Sequence, residues 1–185
     1  MVLPVYIYGH PVLRKEAEDI EKDYPDLKKL IADMFETMYK TDGIGLAAPQ
    51  IGKSIAVIVI DASPLAEDFP ECSGSKMTLI NPTLEIIEDE GLVSRPEGCL
   101  SLPGLSENVK RYEHVVLNWL DEDFNEHEQE FKGFMARVIQ HEFDHLTGTV
   151  YTDRIAPIRK QMIRNKLHNF ERGKVKCGYR TVTKP

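Results

Sequence analysis

The chain runs to 185 residues, 42% of them hydrophobic and 29% charged, with a formal net charge of −7. That is enough for one well-buried core and little for two, in the composition of an ordinary globular protein. A helical membrane span is excluded, because the longest apolar run, Ile55 to Ile60, is far too short.

The segment Met1 to Ile20 lacks the basic start, apolar middle and small-residue cleavage site of a secretion signal, so the chain is expected to work in the cytoplasm. Leu27, Leu30, Ile31, Met34, Phe35 and Met38 then recur at spacings of three and four, which predicts an amphipathic helix. Pro25 sits near its start and Asp42-Gly43 supplies its stop. From residue 54 to about 132 the pattern changes to strands. Ile55–Ile60, Thr78–Ile80, Leu84–Ile87 and Val115–Leu120 are β-rich runs, Asp121–Asn125 reads as a hairpin tip, and the polar stretch Pro64–Lys76 as an exposed loop.

A second helix is expected from Phe134 to Leu146, ending at Gly148. A third follows Pro157, with Ile158, Met162, Ile163, Leu167 and Phe170 as its apolar side. Parallel strand pairs would need intervening helices, so this order predicts an α+β fold with mostly antiparallel sheets. Residues 1–172 are expected to form a single domain. Residues 173–185 have little to bury and are expected to be a disordered basic tail. Ten of the 23 Lys and Arg lie in residues 154–185 beside one acid, Glu171. That asymmetry suggests either a polyanionic partner or simply a solvated helix face.

Chemistry concentrates in the second helix. His141 and His145, four residues apart, project from one face and can reach a single ion. They share the spacing of the core-facing positions, and a divalent cation would compensate the burial of such a patch. Glu142, beside the first histidine, is placed to exchange a proton with a water on that ion. Two solvated histidines on a surface helix are the plain alternative. A catalytic site of this kind usually takes three protein ligands. No further histidine follows His145 at ligand spacing, and Asp153 would be an unusual ligand. The upstream candidate is Cys99, in what reads as a short, turn-bounded strand between Gly98 and Pro103-Gly104. The three cysteines, Cys72, Cys99 and Cys177, are odd in number and widely spaced, which makes a poor disulfide framework. A thiolate with two imidazoles suits zinc or ferrous iron and excludes magnesium and calcium.

The segment Gly43–Gly52 is small and apolar, with no Lys and no following Ser or Thr to cradle a phosphate. It reads equally as a tight buried connection or as a substrate site. In the second reading Gly45 admits a substrate backbone and Gln50 donates to a developing oxyanion.

The segments GIGLAAPQIG, EGCLSLPG and QHEFDHLTG, in that order, together resemble the three signature motifs of the peptide deformylases. Those enzymes remove the formyl group from the N-terminal methionine of new proteins. The resemblance implies that Cys99, His141 and His145 hold one divalent metal ion, with water in the fourth position. The metal-binding helix would then lie at the centre of the sheets. Glu142 would serve as general base and then general acid, while Gln50 and the Leu100 backbone N–H hold the formyl oxygen. An extended peptide would lie along Ile44, Gly45 and Gly98, with its methionine among Ile44, Phe134 and Val138. Ferrous iron is the metal implied in the cell, replaceable by nickel, cobalt or zinc, with oxidation of Cys99 as its liability. Formylated nascent peptides are the implied partner. Arg159, Lys160, Arg164 and Lys166 are the implied ribosome contact, and neither membrane nor DNA is expected. Ser106 stands where some members carry arginine.

Two rivals remain at this level: an endopeptidase built on the same helix, and a binding module in which Cys99, His141 and His145 hold a structural metal. The first would cleave inside unformylated peptides. The second would need a fourth protein ligand, and none is evident.

Overall fold

Leu27, Leu30, Ile31, Met34 and Met38 form the buried stripe of α1 (Leu27–Lys40) in the computed structural model, which describes residues 1–184. The helix stops where Asp42 adopts a φ of 55° and the Gly43 N–H donates back to Met38 O at 2.9 Å.

Five antiparallel strands follow in spatial order β2 (Gly45–Ala47), β3 (Val57–Ile60), β4 (Met77–Ile86), β7 (His114–Leu120) and β8 (Glu126–Lys132). β3 explains why an unbroken apolar run is needed. Its Ile58 and Ile60 join the core beneath α2 (Gly133–Leu146), while Val57 and Val59 join the core beneath α1. The two predicted strands at 78–80 and 84–87 are one strand, β4, whose register shifts between Ile80 and Thr83. Asn81 causes the break: at φ 48° it bonds both the N–H and the C=O of Ile20, at 2.9 and 2.8 Å.

A separate antiparallel ribbon, β5 (Leu92–Cys99) with β6 (Leu102–Tyr112), carries the cysteine segment. The short strand expected around Cys99 is instead the end of β5 and a turn at Leu100–Ser101, and the length of the ribbon is concealed because the inward face of β6 alternates Leu105, Glu107, Val109 and Arg111. Half of those residues are charged. β8, EHEQEFK, is equally cryptic, since Phe131 is its only buried residue.

In α3 (Pro157–Glu171) the buried residues are Ile163, Leu167 and Phe170, whereas Ile158 and Met162 are exposed at 63% and 65%. The expected apolar side is therefore too wide. The early turn is tied down by charge instead: Arg159 bonds both oxygens of Glu107, and Lys160 bonds Asp153. The tail also departs from expectation. β9 (Thr181–Val182) pairs in parallel with β1 (Val5–Tyr6), and Val5 N–H donates to Arg180 O at 2.9 Å. Backbone pairing holds it, and composition carries no sign of that. Pro185 lies outside the described residues.

The helix α2 and the β5–β6 ribbon are joined by buried ion pairs. Arg137, 1% exposed, donates to Glu97 at 2.7 Å and Glu113 at 2.8 Å. Arg111 donates to Glu97 and Asp144 at 2.7 to 3.0 Å. Such ions are tolerable only while all partners are present. Replacing Arg137 with Met takes one of the two arginine partners from each of Glu97 and Glu113, and we expect a loss of about 3–5 kcal/mol in urea unfolding. Burial would raise the Glu113 carboxyl, but bonds from Arg95 and Arg137 hold it below its ordinary value. Its stabilisation is thus present above about pH 4.5 and lost as the pH falls below that. The urea midpoint of the intact protein should fall over that acid range.

Candidate metal centre and substrate cleft

His141 and His145 sit one turn apart on α2, with ring centroids 5.3 Å from each other. Cys99 reaches them from the end of β5, where the register with β6 shifts between Gly98 and Cys99. One ligand atom from each of Cys99, His141 and His145 lies within 4.8 Å of the others. Cys99 Sγ is 3.4 Å from His145 Nε2.

The surroundings fix how each group faces. His141 Nδ1 is 2.9 Å from Glu97 Oε1, which leaves Nε2 free to face the cluster. Burial opposes the charge on His141, yet bonds to Cys99 and Glu97 hold its pKa well above the ordinary imidazole value. Burial and the neighbouring His141 push His145 the opposite way. Among the described residues His145 Nδ1 and Glu142 Oε2 are buried without a hydrogen-bond partner. Burial pushes the Glu142 carboxyl up to about 7. A cysteine sulfur, two imidazoles and a carboxyl with an unpartnered oxygen are the donor set that a borderline-soft divalent ion takes.

Gln50, 2% exposed, accepts from the Ala47 N–H at 2.9 Å through Oε1. Its amide nitrogen must therefore face the other way, 3.4 Å from Cys99 Sγ and 3.2 Å from Ser101 Oγ. Gly45 has a role beyond the one expected. A Cβ added there would overlap the Glu142 carboxylate, so the missing side chain makes room for that group. At Gly98 the nearest atom to an added Cβ is Leu105 O at 3.7 Å, an ordinary contact.

A cleft of about 720 Å³ opens over the cluster. Every site residue expected from the sequence lines it, except His145, which is 1% exposed behind it. Ile44, Phe134 and Val138 supply apolar wall. Phe134 stacks on Phe69 with centroids 4.2 Å apart, and Cys72 is fully buried, so the loop at 64–76 packs more than its polar composition suggests.

Sequence reasoning overlooked Glu97, although it stands two residues before Cys99 and so on the same side of the strand. It also overlooked Lys176, Cys177 and Tyr179, which line the cleft from the tail.

Comparison with known proteins gives a consistent match. The polypeptide deformylase family model matches residues 2–161. The peptide deformylase of Flavobacterium psychrophilum is 43% identical over 193 residues, covering 100% of this chain and 98% of the relative. Among solved structures, the peptide deformylase of Thermus thermophilus superposes with a TM-score of 0.81 at 40% identity, over 94% of this chain and 99% of that one. The Ehrlichia chaffeensis enzyme in complex with actinonin gives a TM-score of 0.82 at 30% identity, over 95% and 99%.

Because Glu97 both orients His141 and enhances its basicity, Glu97→Gln should weaken metal retention by about 10- to 100-fold in competition with a chelator. A urea midpoint measured alongside separates that effect from loss of the fold.

Proposed function

The chain belongs to the polypeptide deformylase family, and from that premise we propose that Cys99, His141 and His145 hold one divalent metal ion. Its activity is that of a peptide deformylase, which removes the N-terminal formyl group from nascent peptides. One observation carries the metal reading: a thiol and two imidazoles converge within 4.8 Å beside a buried carboxylate with an unpartnered oxygen. We take the ion to be ferrous iron in the cell, with nickel, cobalt or zinc able to replace it.

When bound, the ion would act as a Lewis acid towards the formyl carbonyl and would lower the pKa of a water at the site. The chain's own groups do the rest. Glu142, whose elevated pKa lets it hold or release a proton near neutrality, takes a proton from the attacking water. It then returns that proton to the amine nitrogen as the carbon–nitrogen bond breaks, so the products are formate and a free N-terminal amine. Gln50 Nε2 and the Leu100 N–H donate to the oxyanion that forms in between. Gln50 is pre-aimed because Ala47 occupies its carbonyl oxygen. Ile44, Gly45 and Gly98 give the extended peptide its edge, and Ile44, Phe134 and Val138 receive the methionine side chain.

Formylated nascent chains place the enzyme in the cytoplasm, close to ribosomes. No described helix is long and apolar enough to cross a membrane. Arg159 and Lys160 are engaged by Glu107 and Asp153, so a ribosomal RNA contact would rest on the exposed Arg164 and Lys166.

Glu142→Ala should keep its metal and lose turnover of a formyl-Met peptide by a factor on the order of 10²–10⁴. Full turnover in a metal-loaded Glu142→Ala protein contradicts the assignment, and cleavage inside an unformylated Met peptide would point to an endopeptidase.

A further inference from the structure

Part of the cleft wall lies outside the segment that defines the family. The family model ends at residue 161, yet Lys176, Cys177 and Tyr179 all line the cleft. Two fixtures hold them there. The pairing of β9 with β1 anchors the tail to the body, and the Tyr179 hydroxyl donates to Leu100 O at 2.7 Å. Tyr179 is half-buried, while Lys176 and Cys177 are exposed.

Leu100 and Ser101 form the turn between β5 and β6, directly after the candidate ligand Cys99. That turn is held from three sides. Tyr8 N–H donates to Ser101 O at 2.9 Å, Gln50 Nε2 donates to Ser101 Oγ at 3.2 Å, and Tyr179 holds the Leu100 carbonyl. Tyr8 closely follows β1, so the β1–β9 pair brings both ends of the chain to bear on the same two residues. The Leu100 carbonyl lies in the Leu100–Ser101 peptide plane, which meets the Cys99–Leu100 plane, bearer of the Leu100 N–H, at the Leu100 Cα. Holding the first plane leaves only the two backbone dihedrals of Leu100 between Tyr179 and that N–H. The Leu100 N–H is the one assigned above to the oxyanion.

We propose that residues 176–179 are part of the substrate site. Tyr179 is a positioning residue that aims the Leu100 N–H, and Lys176 with Cys177 forms a wall for the peptide that follows the methionine. This rests on the deformylase reading given above.

Cys177 supplies its own probe, because it is exposed while Cys72 is fully buried. The metal-loaded enzyme is treated with N-ethylmaleimide, and labelling of each cysteine is followed by peptide mass mapping. A Met-Ala-Ser peptide is added at a concentration that abolishes turnover of formyl-Met-Ala-Ser. Labelling of Cys177 should slow severalfold, and an unchanged rate overturns the wall. In parallel, Tyr179→Phe keeps the ring and removes the hydroxyl. Its kcat should fall by about ten-fold, with KM nearly constant and with metal content and urea midpoint unaltered. A wild-type kcat, or a loss that merely tracks lost metal, overturns the positioning role. If the wild-type enzyme released no formate from formyl-Met-Ala-Ser, the underlying reading would fail instead.

Discussion

The structure depends on keeping charge inside the protein without stranding it. α2 runs through the interior carrying Arg137, Glu142, Asp144 and His145 as buried residues, with His141 partly so. An apolar environment penalises each of them unless a partner is in place. Arg137 and Arg111 are answered by Glu97, Glu113 and Asp144, and those bonds fasten the β5–β6 ribbon against the helix. The same fastening brings Cys99 to the two histidines. Glu97 belongs to both systems, since it bonds Arg111, Arg137 and His141. The charge network and the candidate metal ligands are therefore joined through one residue. One oxygen that the network leaves unpartnered, Glu142 Oε2, belongs to the carboxyl that lines the cleft beside the cluster.

The sheet and α1 make this placement rigid in a more ordinary way. β3 is buried on both faces and locks the sheet between two helices. The turn into β2 delivers Gly45 against Glu142, and the following turn delivers Gln50 against the cysteine segment. Gly45 thus has a packing reason of its own, independent of any substrate.

Elements whose pattern follows hydrophobic burial were legible from the sequence: α1, α2, β3 and β7 fall close to their expected ranges. The candidate site was read as three motifs, and their meeting in space was expected from the family resemblance, because spacing along the chain carries no sign of it. The ribbon β5–β6 was hidden because Glu107 and Arg111 occupy inward positions that a periodicity argument assigns to apolar residues. The edge strand β8 buries one side chain and leaves no alternation to detect. β9 is held by backbone bonds, which any sequence can make, and Tyr179 reaches Leu100 only because of that pairing. The width of α3's apolar face was overestimated because Arg159 and Lys160, bonded to Glu107 and Asp153, anchor a turn that hydrophobic residues were expected to anchor.

The central claim is that Cys99, His141 and His145 hold one catalytic ion. Its most direct test is to purify the protein without oxygen and to measure bound metal and formate release from a formyl-Met peptide on the same sample. Partial chelation and reloading would then vary the metal content. The account predicts one ion per chain and formate release in proportion to occupancy. Full formate release by metal-free protein, or equal metal retention by Cys99→Ser, would contradict it.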